Sequence, residues 1–362
     1  VFITYKLYKA SLEEINLRED IGQTYNVNVL NSSRTAIADK IVSKFIRDKT
    51  EYSYEDLNSL KDTRESVAFK DIIIPIEFKS EELIKLYNKL LDYNTLNNKT
   101  DDDDTAIANF SFDNCKFTLA KGGLHSDNPP AIYKEDNEYL LIDLDYNSYY
   151  PTLMINYKIA PPQLGNVFLD VLLKVLTERL EAKTNKDTVK ANTLKIVANG
   201  GFYGKLGFPY SYLYSLEAMY KVTINGQLLL LKLIEELSFN NIKCFYANTD
   251  GATFKVHRDS EQLFYDICNK FSEEINIGLE YNKYKKCCIL NVNNFLIIAE
   301  NDKLKKKGSF FNDTFEESWE KSHTNATEIL SKGFDMPIIA KAVEAYFVKG
   351  TSVREFITNH TD

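Results

Sequence analysis

Leu140-Leu141-Ile142-Asp143-Leu144-Asp145-Tyr146-Asn147-Ser148-Tyr149-Tyr150-Pro151-Thr152 decides the fold. An apolar run short enough for one buried strand ends in a carboxylate, and the backbone then turns. Pro151 fixes φ where a helix can begin, since its missing N–H is not needed at the first helical position. Thr152 to Tyr157 continue as that helix. An acid at the end of a core strand, beside the free N–H groups of a helix start, suits a metal ion next to a phosphate chain. An ordinary junction with a capping Asp suits the same residues. Asp143 falls on the same strand face as Asp145, because side chains alternate with period two, and reads as a supporting carboxylate.

Working outward, Ile242 to Val256 places two β-rich runs around a polar turn containing Asp250-Gly251, a hairpin signal. Val167 to Lys183 is an amphipathic helix, Thr184 to Asp187 a polar break, and Thr188 to Val197 a second helix. The short connection makes them an antiparallel hairpin. Arg179 and Lys183 share one face of the first helix, and Lys195 and Asn199 one face of the second. Solvated faces are the ordinary fate of such residues. Phe117 to His125 runs as a strand into a Gly122-Gly123 bend, which either closes a plain hairpin or lets another backbone approach closely. Tyr220 to Leu237 reads as a helix, Leu290 to Ile297 with Lys305 to Gly308 as a β-hairpin, and Ile338 to Phe347 as a helix. Nearer the start, Ala36 to Ile46 and Glu82 to Leu91 have helical spacing, and Asp71 to Pro75 reads as a strand. Asp101 to Asp104 sit in a solvated loop.

The chain has 362 residues, 44% hydrophobic and 27% charged, enough for two or three subdomains of a soluble globular protein. No apolar run reaches membrane-spanning length, and the start lacks a signal-peptide pattern. Five cysteines without a Cys-x-x-Cys pair argue for reduced thiols in a cytosolic compartment, against a disulfide framework or zinc site. The net charge of −8 is set partly by Asp101 to Asp104, whereas Lys283, Lys285, Lys286, Lys303, Lys305, Lys306 and Lys307 gather late in the chain. Segregation of that kind lets an acidic protein keep a basic face.

Asp145-x-x-Ser148-x-Tyr150-Pro151-Thr152 resembles the first palm motif of family B DNA polymerases, Asp-x-x-Ser-Leu-Tyr-Pro-Ser. The helical hairpin resembles the fingers of that family, with Arg179-x-x-x-Lys183 and then Lys195-x-x-x-Asn199 before Tyr203-Gly204. The family writes Lys-x-x-x-Asn-Ser-x-Tyr-Gly, so one extra residue separates Asn199 from Tyr203. On a regular helix this rotates everything downstream by about 100°. Gly200-Gly201 can absorb it as a bulge or an early helix end, which leaves Phe202 or Tyr203 for the ring position. The Tyr-Gly doublet favours Tyr203. Asn248-Thr249-Asp250-Gly251 resembles the third motif, Tyr-x-Asp-Thr-Asp-Ser. Asp250 keeps the second carboxylate, while Asn248 replaces the first and Gly251 the Ser. Lys121-Gly122-Gly123 resembles the template-contacting Tyr-x-Gly-Gly motif. Asn293 and Phe295 stand where the family's Lys-Lys-x-Tyr strand has Lys and Tyr, and Lys307-Gly308 resembles its later Lys-Gly turn. The Asn-Thr-Asp-Gly spelling also occurs in the phage branch.

The resemblance implies an α+β right-hand palm, an antiparallel sheet backed by helices, with short helical fingers and a partial thumb. It divides the chain into an N-terminal segment (1–115), palm (116–165), fingers (166–204), more palm (205–318) and the start of a thumb (319–362). It implies extension of a primer 3′-hydroxyl with dNTPs on a primer–template, in phage replication in the host cytoplasm, with accessory replication proteins as partners. Two Mg²⁺, or Mn²⁺ in their place, would be held by Asp145, Asp250 and the Tyr146 carbonyl. Ser148 and Tyr149 amides, Arg179, Lys183, Lys195 and Asn199 would face the triphosphate, Tyr150 the sugar and Tyr203 the nascent base pair. Lys121, Gly122, Gly123, Thr249, Asn293, Lys307 and Gly308 would touch DNA. The start at Val1 suggests a piece of a longer protein with an exonuclease domain upstream. The first hundred residues carry no strand-borne Asp-x-Glu, so no proofreading is expected of this chain. Two rival readings stand beside the DNA polymerase: a different palm enzyme, an RNA-directed or RNA polymerase, against which Tyr150 as sugar gate argues, and a catalytically dead DNA-binding scaffold, for which Asn248 is the argument.

Overall fold

The computed structural model describes residues 2–60, 62–95, 106–310 and 337–360. Its helices are α1 (Phe2–Tyr25), α2 (Arg34–Lys49), α3 (Tyr54–Ser59), α4 (Glu81–Leu91), α5 (Tyr149–Asn156), α6 (Asn166–Thr184), α7 (Thr188–Ile196), α8 (Gly204–Leu206), α9 (Leu216–Ser238), α10 (Glu261–Ile275), α11 (Pro337–Lys349) and α12 (Val353–Asn359). The strands are β1 (Ala106–Phe112), β2 (Cys115–Ala120), β3 (Leu124–Ser126), β4 (Ala131–Lys134), β5 (Tyr139–Tyr146), β6 (Lys243–Asn248), β7 (Gly251–His257), β8 (Leu279–Asn291), β9 (Asn294–Ala299) and β10 (Leu304–Lys307).

The ten strands form one antiparallel sheet in the order β1-β2-β3-β6-β7-β5-β8-β9-β10, with β4 also on β8. The opening stretch supplies β5 in its middle, paired with β7 on one side and β8 on the other. Alternation along β5 decides which face does what. Leu140, Ile142, Leu144 and Tyr146 point into the main core, which the helices α5, α9 and α10 share. Leu141 faces the other way, into a smaller apolar cluster with Tyr246, Tyr284 and Ile297. Asp143 and Asp145 continue that second face, so it turns from apolar to acidic toward the strand end.

The helix after β5 begins at Tyr149, two residues before Pro151, with Ser148 in the left-handed region (φ 49°). Pro151 is therefore the third helical residue. Its missing N–H is equally harmless there, since no first-turn N–H has an intrahelical acceptor. Asp71 to Pro75 is not a strand: a 3₁₀ turn (Phe69–Asp71) leads into irregular chain. Its backbone partner is a side chain, Asn225, whose amide accepts from Ile74 N–H at 2.7 Å and donates to Ile72 C=O at 2.8 Å. The β6–β7 reversal uses Thr249 and Asp250 as its loop residues, so Asp250-Gly251 straddles loop and strand.

Helix α7 does not run on to Val197. Val197–Tyr203 winds as a π-helix, one residue wider per turn, where the extra residue of the Asn199–Tyr203 stretch falls. Gly201 has no Cβ because α2 is against it: one would stand 3.0 Å from Ala38 Cβ and 3.1 Å from Val42 Cγ2. Strand β1 and helix α2 thus tie the first 115 residues to the sheet and to the helical hairpin. The Asp101–Asp104 loop, and residues 319–336 at the start of the expected thumb, lie outside the described residues. None of the five cysteines forms a disulfide.

Candidate active site

The end of β5, the first turn of α5, the α6–α7 hairpin and the β6–β7 turn enclose a cleft of about 460 Å³. It is lined by Asp145, Tyr146, Ser148, Tyr149, Tyr150, Arg179, Lys183, Lys195, Asn199, Tyr203, Thr249 and Asp250, which come from four separate stretches of sequence. Asn147, Pro151, Asn192 and Glu280 complete the lining and were not anticipated. Asn192 lies one turn before Lys195 on the same face of α7, a spacing the sequence does carry. Glu280 stands opposite Asp145 in the β5–β8 register, a relationship no local pattern reveals.

Asp145 and Asp250 reach the cleft from adjoining positions. Tyr146 N–H donates to Asp250 C=O at 2.9 Å, and Asp145 pairs with Gly251 across β5 and β7. Thr249 sits at φ 62°, rare for a β-branched residue, and Asp250 N–H donates back to Asn248 C=O at 2.8 Å. This tight reversal fixes where the Asp250 side chain emerges. Burial and the neighbouring carboxylates of Asp250, Asp143 and Glu280 push Asp145 up to about 7. Burial likewise raises Asp250, opposed in part by the Lys195 ammonium. Asp143 stands behind Asp145, where Thr253 Oγ1 donates to it at 2.7 Å and the Tyr284 hydroxyl at 2.5 Å. Lys305 Nζ donates to that same hydroxyl at 2.7 Å.

The opposite wall is cationic. Arg179 donates through Nη1 to Ser148 Oγ, while its Nε is buried without a hydrogen-bond partner among the described residues. Lys183 and Lys195 are exposed into the cleft. Helix α5 has no side-chain cap among the described residues, which leaves the Tyr149 and Tyr150 amides as its uncapped first-turn donors beside the same space. A file of rings runs from the core to the cleft. Tyr146 stacks on Tyr149 at 4.3 Å, Tyr149 on Tyr150 at 5.6 Å, and Tyr150 meets Tyr203 at 4.5 Å. Tyr146 and Tyr149 are core residues, at 3% exposure each, so only their backbone can serve the cleft. Phe202 is fully buried against Phe168, and the ring that faces the cleft is Tyr203.

The remaining expected contact residues form a ridge beside the cleft. Thr249 N–H donates to Leu124 C=O at 2.8 Å, and Gly123 lies so close to Thr249 that a Cβ there would stand 2.8 Å from its Oγ1. Val292, next to Asn293, accepts from the Tyr246 hydroxyl at 3.1 Å, and Ser309, next to Gly308, donates to Asn294 Oδ1. Lys121 and Lys307 are exposed on this ridge. Asn248 does not line the cleft, since its amide donates to the Tyr246 hydroxyl at 3.2 Å. Nor is the late lysine group a free basic face. Lys283 pairs with Glu261, Lys285 with Asp302 and Lys306 with Glu344, while Lys286 donates to Phe347 C=O and Lys305 to Tyr284.

Among the described residues no group of three or more His, Cys, Asp or Glu side chains is disposed to hold a metal ion, and no helix is long and apolar enough to cross a membrane. The cleft does offer hard oxygen donors for a divalent cation: two carboxylates that burial and mutual repulsion leave short of positive charge.

No protein-family model and no curated protein matches the chain. Among solved structures it is similar to the family B DNA polymerase from the hyperthermophilic archaeon Pyrobaculum calidifontis, at 12% identity and a TM-score of 0.49. The likeness covers 94% of this chain and 41% of that one, so the chain spans less than half of that protein's length.

Proposed function

We propose that this chain is a DNA-directed DNA polymerase of the family B kind, phage-type, extending a primer 3′-hydroxyl with dNTPs. One observation carries the reading: Asp145 and Asp250 face Arg179, Lys183 and Lys195 across one cleft, with the open first turn of α5 between them. Acids on one wall and cations on the other are what a metal-bound triphosphate requires.

Arg179, held by Ser148, and the two lysines neutralise the phosphates and orient the α-phosphorus. The amides of Ser148 and Tyr149 add uncharged donors at the helix start. The Tyr150 ring, only 8% exposed, lies under the sugar and leaves no room for a 2′-hydroxyl, while Tyr203 borders the nascent base pair. The primer oxygen forms the new bond to the α-phosphorus, the bond to pyrophosphate breaks, and the hydroxyl proton leaves to solvent. Asp145, Asp250 and the Tyr146 carbonyl would hold two Mg²⁺, or Mn²⁺, which when bound activate the hydroxyl and stabilise the leaving group. Lys121, Gly122, Gly123, Thr249, Asn293, Lys307 and Gly308 are the proposed DNA contacts, and phage replication in a host cytoplasm, with accessory proteins, is the proposed setting.

A second reading, a DNA-binding scaffold without activity, is favoured by one observation: the Asn248 amide is engaged with Tyr246 and leaves only two motif carboxylates at the cleft. Primer extension by the purified chain, with and without Mg²⁺, separates the two. Metal-dependent extension supports the polymerase, and binding of primer–template with no extension supports the scaffold.

A further inference from the structure

Gln227 lies in the middle of α9 with no exposed surface. A buried amide must be hydrogen-bonded, and the choice of partner is informative. Gln227 Oε1 accepts from Ala120 N–H at 3.2 Å, and Nε2 donates to Ala120 C=O at 2.8 Å and to Thr223 C=O at 3.1 Å. One side chain therefore reads both backbone groups of the last residue of β2, as a neighbouring strand would. The Ala120 N–H is shared with Gly123 C=O, also 3.2 Å away, which closes the Lys121-Gly122-Gly123 bend.

The preceding residue holds the other end of the bend indirectly. Gly226 C=O accepts from the Tyr149 hydroxyl at 2.6 Å. A Cβ on Gly226 would stand 3.1 Å from Tyr150 Cε1 and 3.2 Å from Tyr149 Cε1, so the bare backbone lets both rings pack against α9. The Tyr150 hydroxyl in turn donates to Gly122 C=O at 2.7 Å. The contacts close a circuit: Ala120, Gln227, Gly226, Tyr150, Gly122 and back through the bend.

We propose that Gln227 is a positioning residue, setting the Gly122-Gly123 bend on the ridge against the Tyr150 ring in the cleft. The placement rests on the hydrogen bonds alone, while its effect on substrate choice rests on the polymerase reading above. A loosened bend takes the acceptor from the Tyr150 hydroxyl, and the ring then no longer has one fixed height under the sugar.

The test uses the full chain with Gln227→Met, which keeps the volume and removes the amide, with Tyr150→Phe, which removes one hydroxyl, and with both. Hydrogen exchange of residues 120–124 is the first readout. Tyr150→Phe, which removes one hydrogen bond from the bend, is expected to speed exchange there by about five-fold, and Gln227→Met, which removes two from Ala120, by more, while the rest of the sheet is unaffected. The double variant is expected to fall short of the product of the two, because both act on one bend. The second readout is dNTP-over-rNTP selectivity, expected to fall in Gln227→Met with kcat for dNTPs nearly unchanged. Unchanged exchange in the bend, acceleration spread over the whole sheet, or strict additivity overturns the proposal. If Gln227→Met does not fold, unchanged bend exchange in Tyr150→Phe overturns it. If the wild type extends no primer, the polymerase reading fails while the exchange measurement still decides the positioning role.

Discussion

Gly251 and Asp145 face each other across β7 and β5 with no room between them: a Cβ on Gly251 would stand 2.9 Å from Asp145 Oδ1 and 2.7 Å from Leu144 C=O. The family that the motif resembles has a serine there. In this chain a side chain would meet backbone, which cannot step aside as a flexible side chain could. Gly251→Ser is therefore expected to destabilise the protein by about 1–3 kcal/mol and to displace the Asp145 carboxylate. Urea unfolding checks the first and primer extension the second. A variant as stable and active as wild type would show that β5 and β7 can part at no cost.

Asp145→Ala and Asp250→Ala are expected to abolish extension while primer–template binding survives, since phosphate contacts dominate DNA affinity. Asn248→Ala should slow extension only modestly, about 10-fold, because its amide is directed to Tyr246 and Val292. Rates at saturating Mg²⁺ and dNTP decide it. An Asn248→Ala variant as dead as Asp250→Ala would remove the two-carboxylate site.

Tyr150→Ala should raise ribonucleotide incorporation with little loss of dNTP use. The ring is wedged between Tyr149 and Tyr203 and cannot swing clear of an added oxygen. Unchanged selectivity in competition assays would mean that the sugar is sensed elsewhere.

The Asp145 carboxyl, raised to about 7, gives a signed pH effect. Between its ordinary value of 3.8 and about 7 the folded state binds more protons than the unfolded state, so stability falls as pH rises through this window. Asp145→Asn carries no such proton. Without divalent cations, the melting temperature of wild type minus that of Asp145→Asn should drop from pH 4 to pH 8, and Mg²⁺ should recover it at pH 8. A difference that is flat with pH would mean that Asp145 is neither desolvated nor crowded by its carboxylate neighbours.

Tyr284→Phe removes the hydroxyl that donates to Asp143 and accepts from Lys305. A hydrogen bond to a charged group contributes about 1.5–3 kcal/mol, and that loss is expected in denaturant unfolding. A change below about 0.5 kcal/mol would show that Asp143 does not depend on the Tyr284 hydroxyl.

What the sequence made legible was local. Alternation along β5 places Asp143 and Asp145 on one face, and four-residue spacing places Arg179 with Lys183 and Lys195 with Asn199. Those patterns depend only on the period of each element. Glu280 was not legible because its place opposite Asp145 is a matter of register between strands 135 residues apart in number, 145 to 280. Ile72-Ile73-Ile74 has strand composition, yet Asn225 takes its backbone groups, and composition cannot say who the partner will be. The late lysines look like a basic face until Glu261, Asp302 and Glu344 are brought beside them by folding.

The widened turn at Val197–Tyr203 acts as a phase corrector between Lys195 and the residues after it. The chain carries one residue more than the family's spelling, and the π-turn takes it up, so Asn199 and Tyr203 both line the cleft with Lys195. Phe202 is left on the buried side, against Phe168. An insertion that would turn a regular helix by about 100° is absorbed within the stretch Val197–Tyr203.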